Sequence, residues 1–275
     1  MLKKDKILKI SKEVIKKTKL YDFLPKDKIS TVYAAGSLLE GFGNSKSDID
    51  LFVVANDIDV NSLCLEYPKA NHNMSCIRRK MVSIFNVSYE QIDFDIEVYE
   101  ESYINQYIRD LNNGNATSHD SRYDLLHRLK FGAPLMGEEK FLKIKEKIDY
   151  DQFNVLPSIS VSLYYPVKSR DVLGAYEEKA YDTSFYMGLR LLEDCIGAYL
   201  AIQCETNPNS KWLMKKISRY EEQGSRDVNL KKMLNNAYSK IDLFDSKELK
   251  KKTLLIMKDC QKLNELIEKN KEEVF

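Results

Sequence analysis

Apolar positions fall at helical spacing near the start of the chain, where Ile7, Ile10, Val14 and Ile15 recur among lysines. That pattern predicts an amphipathic first helix with a solvated basic face. Pro25 breaks it, and residues 30–35 read as a short strand that delivers the chain to Gly36. A helical turn is expected over residues 38–40. Residues 48–55 follow as a second strand, whose Ile49, Leu51, Phe52, Val53 and Val54 mark a course into a core. Residues 56–80 combine Asp, Asn and Pro with the basic run Arg78, Arg79 and Lys80, and read as a short helix within loops. Strand character returns over residues 81–99 with Val82, Ile84 and Val87, and residues 92–99 alternate strictly between acidic and apolar.

Helical spacing resumes over residues 102–111, gives way to a polar loop over 112–117, and returns over 121–131 before the stop signal Gly132, Ala133, Pro134. Beyond Pro157 the chain consists of long amphipathic runs at about 176–203, 209–223, 228–240 and 246–270, the texture of a helical bundle. The expected architecture is α+β: a mixed-sheet catalytic domain over residues 1–150, then an all-α bundle over 151–275, with the boundary inside 148–158. There is no internal repeat and no low-complexity tract.

With 275 residues, 43% of them apolar, the chain can bury a substantial core. Lys plus Arg number 43 against 42 for Asp plus Glu, so no global positive charge advertises nucleic acid or an anionic membrane. Cys64, Cys76, Cys195, Cys204 and Cys260 are odd in number and lack any C-x-x-C pair. This spacing argues against a disulfide framework and a structural zinc site, and favours a reducing cytoplasm. The lysine-rich first twenty residues are interrupted by Asp5 and Glu13 and lack the apolar core of a signal peptide, and no apolar run reaches membrane-spanning length.

The most informative stretch runs from Gly36 and Ser37, through ten intervening residues, to Asp48 and Asp50. It sets a turn able to accommodate phosphate a short loop from two carboxylates that project the same way and can grip one hard cation. A nucleotide with a divalent metal is the ligand this pairing suggests. Asp93, Asp95 and Glu97 share one face of the later acidic strand, where three like charges repel one another unless a cation lies between them. Such a strand can also be an ordinary polar edge. A third carboxylate beside the other two suits two-metal transfer chemistry, in which it holds an ion or takes the proton of the attacking hydroxyl.

Together, Gly36-Ser37, the ten-residue gap, Asp48-Ile49-Asp50 and the later apolar-acid-apolar strand resemble the polymerase beta-type nucleotidyltransferase superfamily, in particular small bacterial enzymes that modify antibiotics or other small hydroxylated molecules. The motif region covers residues 30–100, and beyond it the likeness rests on layout. The resemblance implies that Gly36 and Ser37 contact a triphosphate, that Asp48, Asp50 and Asp95 hold two Mg²⁺ about 3.5–4 Å apart, and that Asp95 or its rival Glu97 accepts the acceptor's proton. Asp93 is expected to be solvated or to support its neighbours. The implied activity moves a nucleoside monophosphate, AMP from ATP being the first expectation, to a hydroxyl of a small acceptor. RNA, protein or a second nucleotide as acceptor, or an inactive nucleotide-binding module, are the alternatives. No membrane partner is expected, and the chain is read as a monomer or homodimer.

The sequence from Asn207 to Trp212 opens a helix and places a lysine in its first turn, where it opposes the helix dipole unless an anion is near. The resemblance makes Lys211 a phosphate contact, while Trp212 reads as bundle packing. Tyr181, Tyr186 and Arg190 on the preceding long helix are candidates for an acceptor pocket, although core packing is the simpler role for the tyrosines. His72, His119 and His127 lack metal-ligand spacing and read as surface or structural residues. Arg128 near phosphate is the lesser reading of the pair His127-Arg128. Gly41 and Gly43 are expected to loosen the loop, and no Gly-Lys-Ser/Thr follows to make a Walker motif.

Overall fold

A computed structural model describes residues 4–67, 74–79, 81–224, 228–239 and 241–272. Lys80 and His72 lie outside these residues. The chain divides into two compact units: residues 1–115 with 121–149, and residues 116–120 with 150–275.

The first unit is built on a mixed six-stranded sheet. Its strands are β1 (Ile29–Ala35), β2 (Ile49–Ala55), β3 (Met74–Arg79), β4 (Val82–Tyr89), β5 (Ile92–Glu100) and β6 (Ala133–Met136), in the spatial order β3-β4-β5-β2-β1-β6. All neighbours are antiparallel except β2 and β5, which run parallel with Asp50 opposite Asp95. Helix α1 (Lys4–Lys17) inserts Ile7, Ile10, Val14 and Ile15 against one face, as its spacing predicts. With α2 (Leu20–Phe23) and α3 (Val60–Glu66) it encloses a core that takes Ile49, Leu51 and Val53 from β2 and Phe94, Ile96 and Val98 from β5. Because successive residues alternate, Asp50, Asp95 and Glu97 are turned to the opposite face. Aromatic residues dominate the deeper part of that face: Tyr33 stacks on Phe52, Phe52 on Tyr99, and Tyr99 on Tyr103 of α4 (Glu101–Asn112), with ring centroids 5.0, 6.4 and 6.3 Å apart. Helices α5 (Ser121–Phe131) and α6 (Glu138–Glu146) complete the unit, α6 packing Phe141 on Tyr33.

Three features differ from the sequence reading. Residues 74–79 form a strand although they are largely exposed and polar, because β4 supplies the hydrogen-bonding partner and the hydrophobic period carries little of the signal. Residues 133–136 continue as edge strand β6 instead of simply ending a helix. Pro134 is tolerated there because an edge strand leaves one row of backbone groups unpaired. Cys64 on α3 and Cys76 on β3 are disulfide-bonded, with Cα atoms 6.0 Å apart. Packing of α3 against the β3–β4 hairpin brings together two cysteines that spacing alone gives no reason to pair, which corrects the reading of the cysteines as arguing against disulfides and removes the cysteine argument for a reducing compartment.

The second unit is helical, as its amphipathic runs predict: α7 (Tyr150–Glu177), α8 (Tyr181–Ile202), α9 (Leu213–Glu222), α10 (Leu230–Tyr238) and α11 (Ser246–Glu272). Helix α8 carries the centre of its core, with Leu191, Leu192, Cys195, Ile196 and Leu200 buried together with Ile217, Leu230, Ile256, Leu263 and Ile267. Helix α7 was not legible as one element, since Pro157 and Pro166 lie inside it and each removes an intrahelical N–H. Among the described residues, no helix is long and apolar enough to cross a membrane.

The layer that carries β5 sets a stability test. Ile96→Ala removes a fully buried side chain behind Asp95 and is expected to cost about 2–5 kcal/mol in urea denaturation. A loss below about 1 kcal/mol would show that this layer does not hold the strand.

Candidate active site

The parallel register of β2 and β5 brings Asp50 and Asp95 side by side, and Asp48 joins them from the residue just before β2. One carboxylate oxygen from each of Asp48, Asp50 and Asp95 lies within 4.8 Å of the other two, a group of hard donors able to hold a metal ion. Asp48 is exposed, while Asp50 and Asp95 are half-buried. Glu97 lies one step further along the same face, opposite Phe52, and accepts a 2.5 Å hydrogen bond from the Tyr99 hydroxyl. It is outside the three-carboxylate group. Asp93, at the exposed start of β5, accepts from Ser88.

Gly36 follows β1 directly and has φ +94°, a conformation that favours glycine. A Cβ here would fall 1.8 Å from Asp50 Oδ2, so the missing side chain is also what makes room for the carboxylate. The chain then folds into a compact turn. The Gly36 carbonyl accepts from the N–H groups of Leu39 and Glu40, and the Ser37 carbonyl from those of Phe42 and Gly43. Gly41 has φ +79°, and a Cβ on Gly43 would meet the Leu38 side chain at 2.7 Å. These glycines therefore serve a tight turn, where the sequence suggested a loosened one. Asn44 and Ser47 close the remainder of the loop, with Ser47 Oγ accepting from the Asn44 N–H and Asn44 Oδ1 from the Lys46 N–H.

Helix α5 locks turn and carboxylate together. Arg128 Nη1 lies 3.4 Å from Asp50 Oδ2, and its Nε lies 3.3 Å from Asp124. The neighbouring His127 is fully buried, with Nε2 3.1 Å from the buried Glu40 carboxylate in the turn. Sequence reasoning found His127 structural but did not connect it to Glu40, and gave Arg128 only a minor place; the i,i+4 spacing of Asp124 and Arg128 was the available signal. Asn86 of β4 was missed altogether. Its side chain donates to Asp95 Oδ1 at 2.5 Å and accepts from the Ser75 hydroxyl at 3.2 Å, so that Asp95 is oriented from the neighbouring strand on the same face of the sheet. Only strand register reveals this, because Asn86 stands opposite both Ser75 and Asp95.

Burial raises the Asp50 pKa to about 7; Arg128 opposes that rise, while Asp48, Glu97 and Asp95 add to it. Burial also raises Asp95, against the lowering effect of the Asn86 hydrogen bond, and it raises Glu97 against that of Tyr99. Crowded carboxylates that resist ionisation are the electrostatic condition a divalent cation relieves, and the all-oxygen donor set suits Mg²⁺. The residues present therefore fit the ion.

Other candidates lie in the second unit. Lys211 is exposed in a 3₁₀ turn spanning Ser210–Trp212, where Asn209 Oδ1 accepts from its N–H and its ammonium lies 5.1 Å from the centre of the Trp212 ring. The loop before it is anchored by Lys216, which donates to the Asn207 carbonyl at 2.7 Å, and by Arg219, paired with Glu205. Tyr181 packs on the bundle core and against Tyr176, Tyr186 is exposed, and Arg190 pairs with Glu193 at 2.6 Å. His119 is exposed beside Tyr164.

No protein-family model matches the chain, and no curated protein matches it. Among solved structures it is similar to a nucleotidyltransferase-like protein from Exiguobacterium sibiricum 255-15, with a TM-score of 0.50 at 10% identity over 92% of this chain and 74% of that one. The chain thus has a nucleotidyltransferase-like fold, and on it Asp48, Asp50 and Asp95 form a three-carboxylate group that could hold a metal ion.

Two tests follow from this geometry. Gly36→Ala forces a side chain onto Asp50 and is expected to cost about 1–3 kcal/mol and to weaken Mg²⁺ binding measured by calorimetry; unchanged affinity would show that the turn does not confine Asp50. Between the unfolded carboxylate pKa near 3.9 and about 7, the folded protein binds more protons at Asp50 than the unfolded chain does. Stability without divalent ions should therefore fall as pH rises through that window. Stabilisation by Mg²⁺ should grow over the same window, because the ion requires the deprotonated carboxylate. Melting temperatures in chelator and in excess Mg²⁺ between pH 5 and pH 8 test this, and parallel curves would remove the ion from the site.

Proposed function

We propose that the protein is a Mg²⁺-dependent nucleotidyltransferase that moves a nucleoside monophosphate, with ATP the expected donor, to a hydroxyl of a small-molecule acceptor. The single observation that carries the reading is the convergence of Asp48, Asp50 and Asp95 beside the Gly36-Ser37 turn. Asp48, Asp50 and Asp95 would hold Mg²⁺, which when bound neutralises phosphate charge and polarises the phosphorus centre. The Gly36-Ser37 turn, lacking a side chain at its first residue, lets phosphate oxygens approach the backbone. Arg128, held between Asp50 and Asp124, is a positioning residue for Asp50 and a positive charge at the edge of the phosphate turn.

In the proposed step the acceptor oxygen forms a bond to the α-phosphorus, the bond from that phosphorus to the bridging oxygen breaks, and pyrophosphate leaves with the electron pair. The acceptor's proton passes to the Asp95 carboxylate, which Asn86 holds in orientation and whose raised pKa suits it as a base. Glu97, engaged with Tyr99, supports the site from deeper on the same face.

Purified protein incubated with labelled ATP, GTP, CTP or UTP and a panel of hydroxylated metabolites and aminoglycosides should show a mass gain of one nucleotide on an acceptor, with Mg²⁺-dependent release of pyrophosphate. Asp50→Asn should lower that turnover by about 10²–10³-fold or more. Full turnover in the variant would refute the metal role of Asp50, and label found only on RNA or protein would refute the small acceptor.

A further inference from the structure

Edge strand β3 carries little information about its own register. Its one strand neighbour is β4, and Ser75, Ile77, Arg78 and Arg79 are exposed. Burial of one apolar face is what fixes a strand's register, and a strand that is polar on both faces lacks that signal. Among its described residues, Met74 and Cys76 are the ones that pack against the core, and both are only half-buried. The register nevertheless has a consequence on the opposite face, because it sets Ser75 against Asn86, whose amide in turn donates to Asp95.

The Cys64–Cys76 bond supplies what the pattern lacks. Helix α3 is a fixed platform: Leu63 is buried in the core, Tyr67 just beyond the helix is fully buried, and Ser83 of β4 donates to the Val60 carbonyl at 2.7 Å. A slip of two residues would keep each face of β3 while carrying the strand about 7 Å along β4. That is further than the 6.0 Å between the Cα atoms of the two cysteines, so a covalent link from α3 holds the strand against it. We propose that the Cys64–Cys76 bond is a positioning element of the metal site: it keeps β3 in the register that lets Ser75 and Asn86 orient Asp95, and its reduction by a thiol weakens Mg²⁺ binding. The proposal rests on the metal-binding reading of Asp48, Asp50 and Asp95 and adds a redox dependence to it. In the reduction a dithiol supplies two electrons and two protons, the Sγ–Sγ bond breaks to leave Cys64 and Cys76 as thiols, and the dithiol closes to its own disulfide. Asn86 then loses the Ser75 donor that fixes its amide, and Asp95 loses a partner whose direction was set. Groups that orient a metal ligand in this way affect affinity without touching the ion.

The test is Mg²⁺ binding by calorimetry on the whole chain, oxidised and then reduced with dithiothreitol, with thiol counting to confirm that the bond has opened. Reduction should weaken Mg²⁺ about tenfold, and the double variant Cys64→Ser/Cys76→Ser should show the weaker affinity with or without reductant. In Asn86→Ala, whose affinity is already lowered, reduction should cause little further loss, because the bond acts through that residue. Ser75→Ala leaves the bond intact and should weaken Mg²⁺ about two- to fivefold. In chelator, amide hydrogen exchange of β3 should quicken on reduction while that of β2 stays unchanged. Equal affinity in the two redox states, the same fold loss on reduction in Asn86→Ala as in the unaltered protein, or no effect of Ser75→Ala would overturn the proposal. Global unfolding on reduction would also overturn it, since the bond would then hold the fold and not Asp95. Failure of the oxidised, unaltered protein to bind Mg²⁺ would instead overturn the metal-binding reading, and this proposal with it.

Discussion

The parallel pairing of β2 with β5 is the constraint on which the site depends. It sets Asp50 directly opposite Asp95, a juxtaposition of like charges that a sheet ordinarily avoids. The apolar residues between those acids make the register obligatory. Leu51, Val53, Ile96 and Val98 are buried in the core on the other face, and slipping one strand by a residue would turn this set out to water. Hydrophobic burial on one side of the sheet thus holds an unfavourable electrostatic arrangement on the other.

The first unit restrains that arrangement from two directions. On one side Arg128 reaches Asp50 while Asp124 holds the guanidinium, and His127 in the same turn of helix meets Glu40 of the Gly36 turn. The Gly36 turn, the Asp50 carboxylate and helix α5 are thereby tied together. On the other side Asn86 fixes Asp95. Deeper on the same face, the stacked Tyr33, Phe52, Tyr99 and Tyr103 form an apolar floor that keeps the local dielectric low and strengthens every charge interaction above it. Breaking one partner of such a buried pair costs more than the pair itself contributes, because the other charge is left behind.

The nucleotidyltransferase-like protein from Exiguobacterium sibiricum shares the fold of this chain at 10% identity. A fold can persist at that distance because many apolar sets fill the same layers, whereas it does not by itself specify a reaction. The functional reading therefore rests on the local chemistry of the carboxylates and the glycine turn.

Sequence alone determined the elements whose periodicity is unambiguous: α1, β1, β2, β5, α4, α5 and the helical texture of the second half. It also offered the acidic residues from which the three-carboxylate group is drawn, since Asp48 and Asp50 sit two apart and Asp93, Asp95 and Glu97 share one strand face. What it left open is what depends on neighbours distant in the chain. The choice of Asp95 over Glu97 required the β2–β5 register, and the roles of Asn86 and Arg128 required partners in other elements. The exposed strand β3, the edge strand through Pro134, the proline-containing helix α7 and the Cys64–Cys76 bond are likewise decided by packing. Periodicity records which face of an element is buried, but only tertiary structure decides what that face meets, because contact across a sheet is set by register and not by distance along the chain.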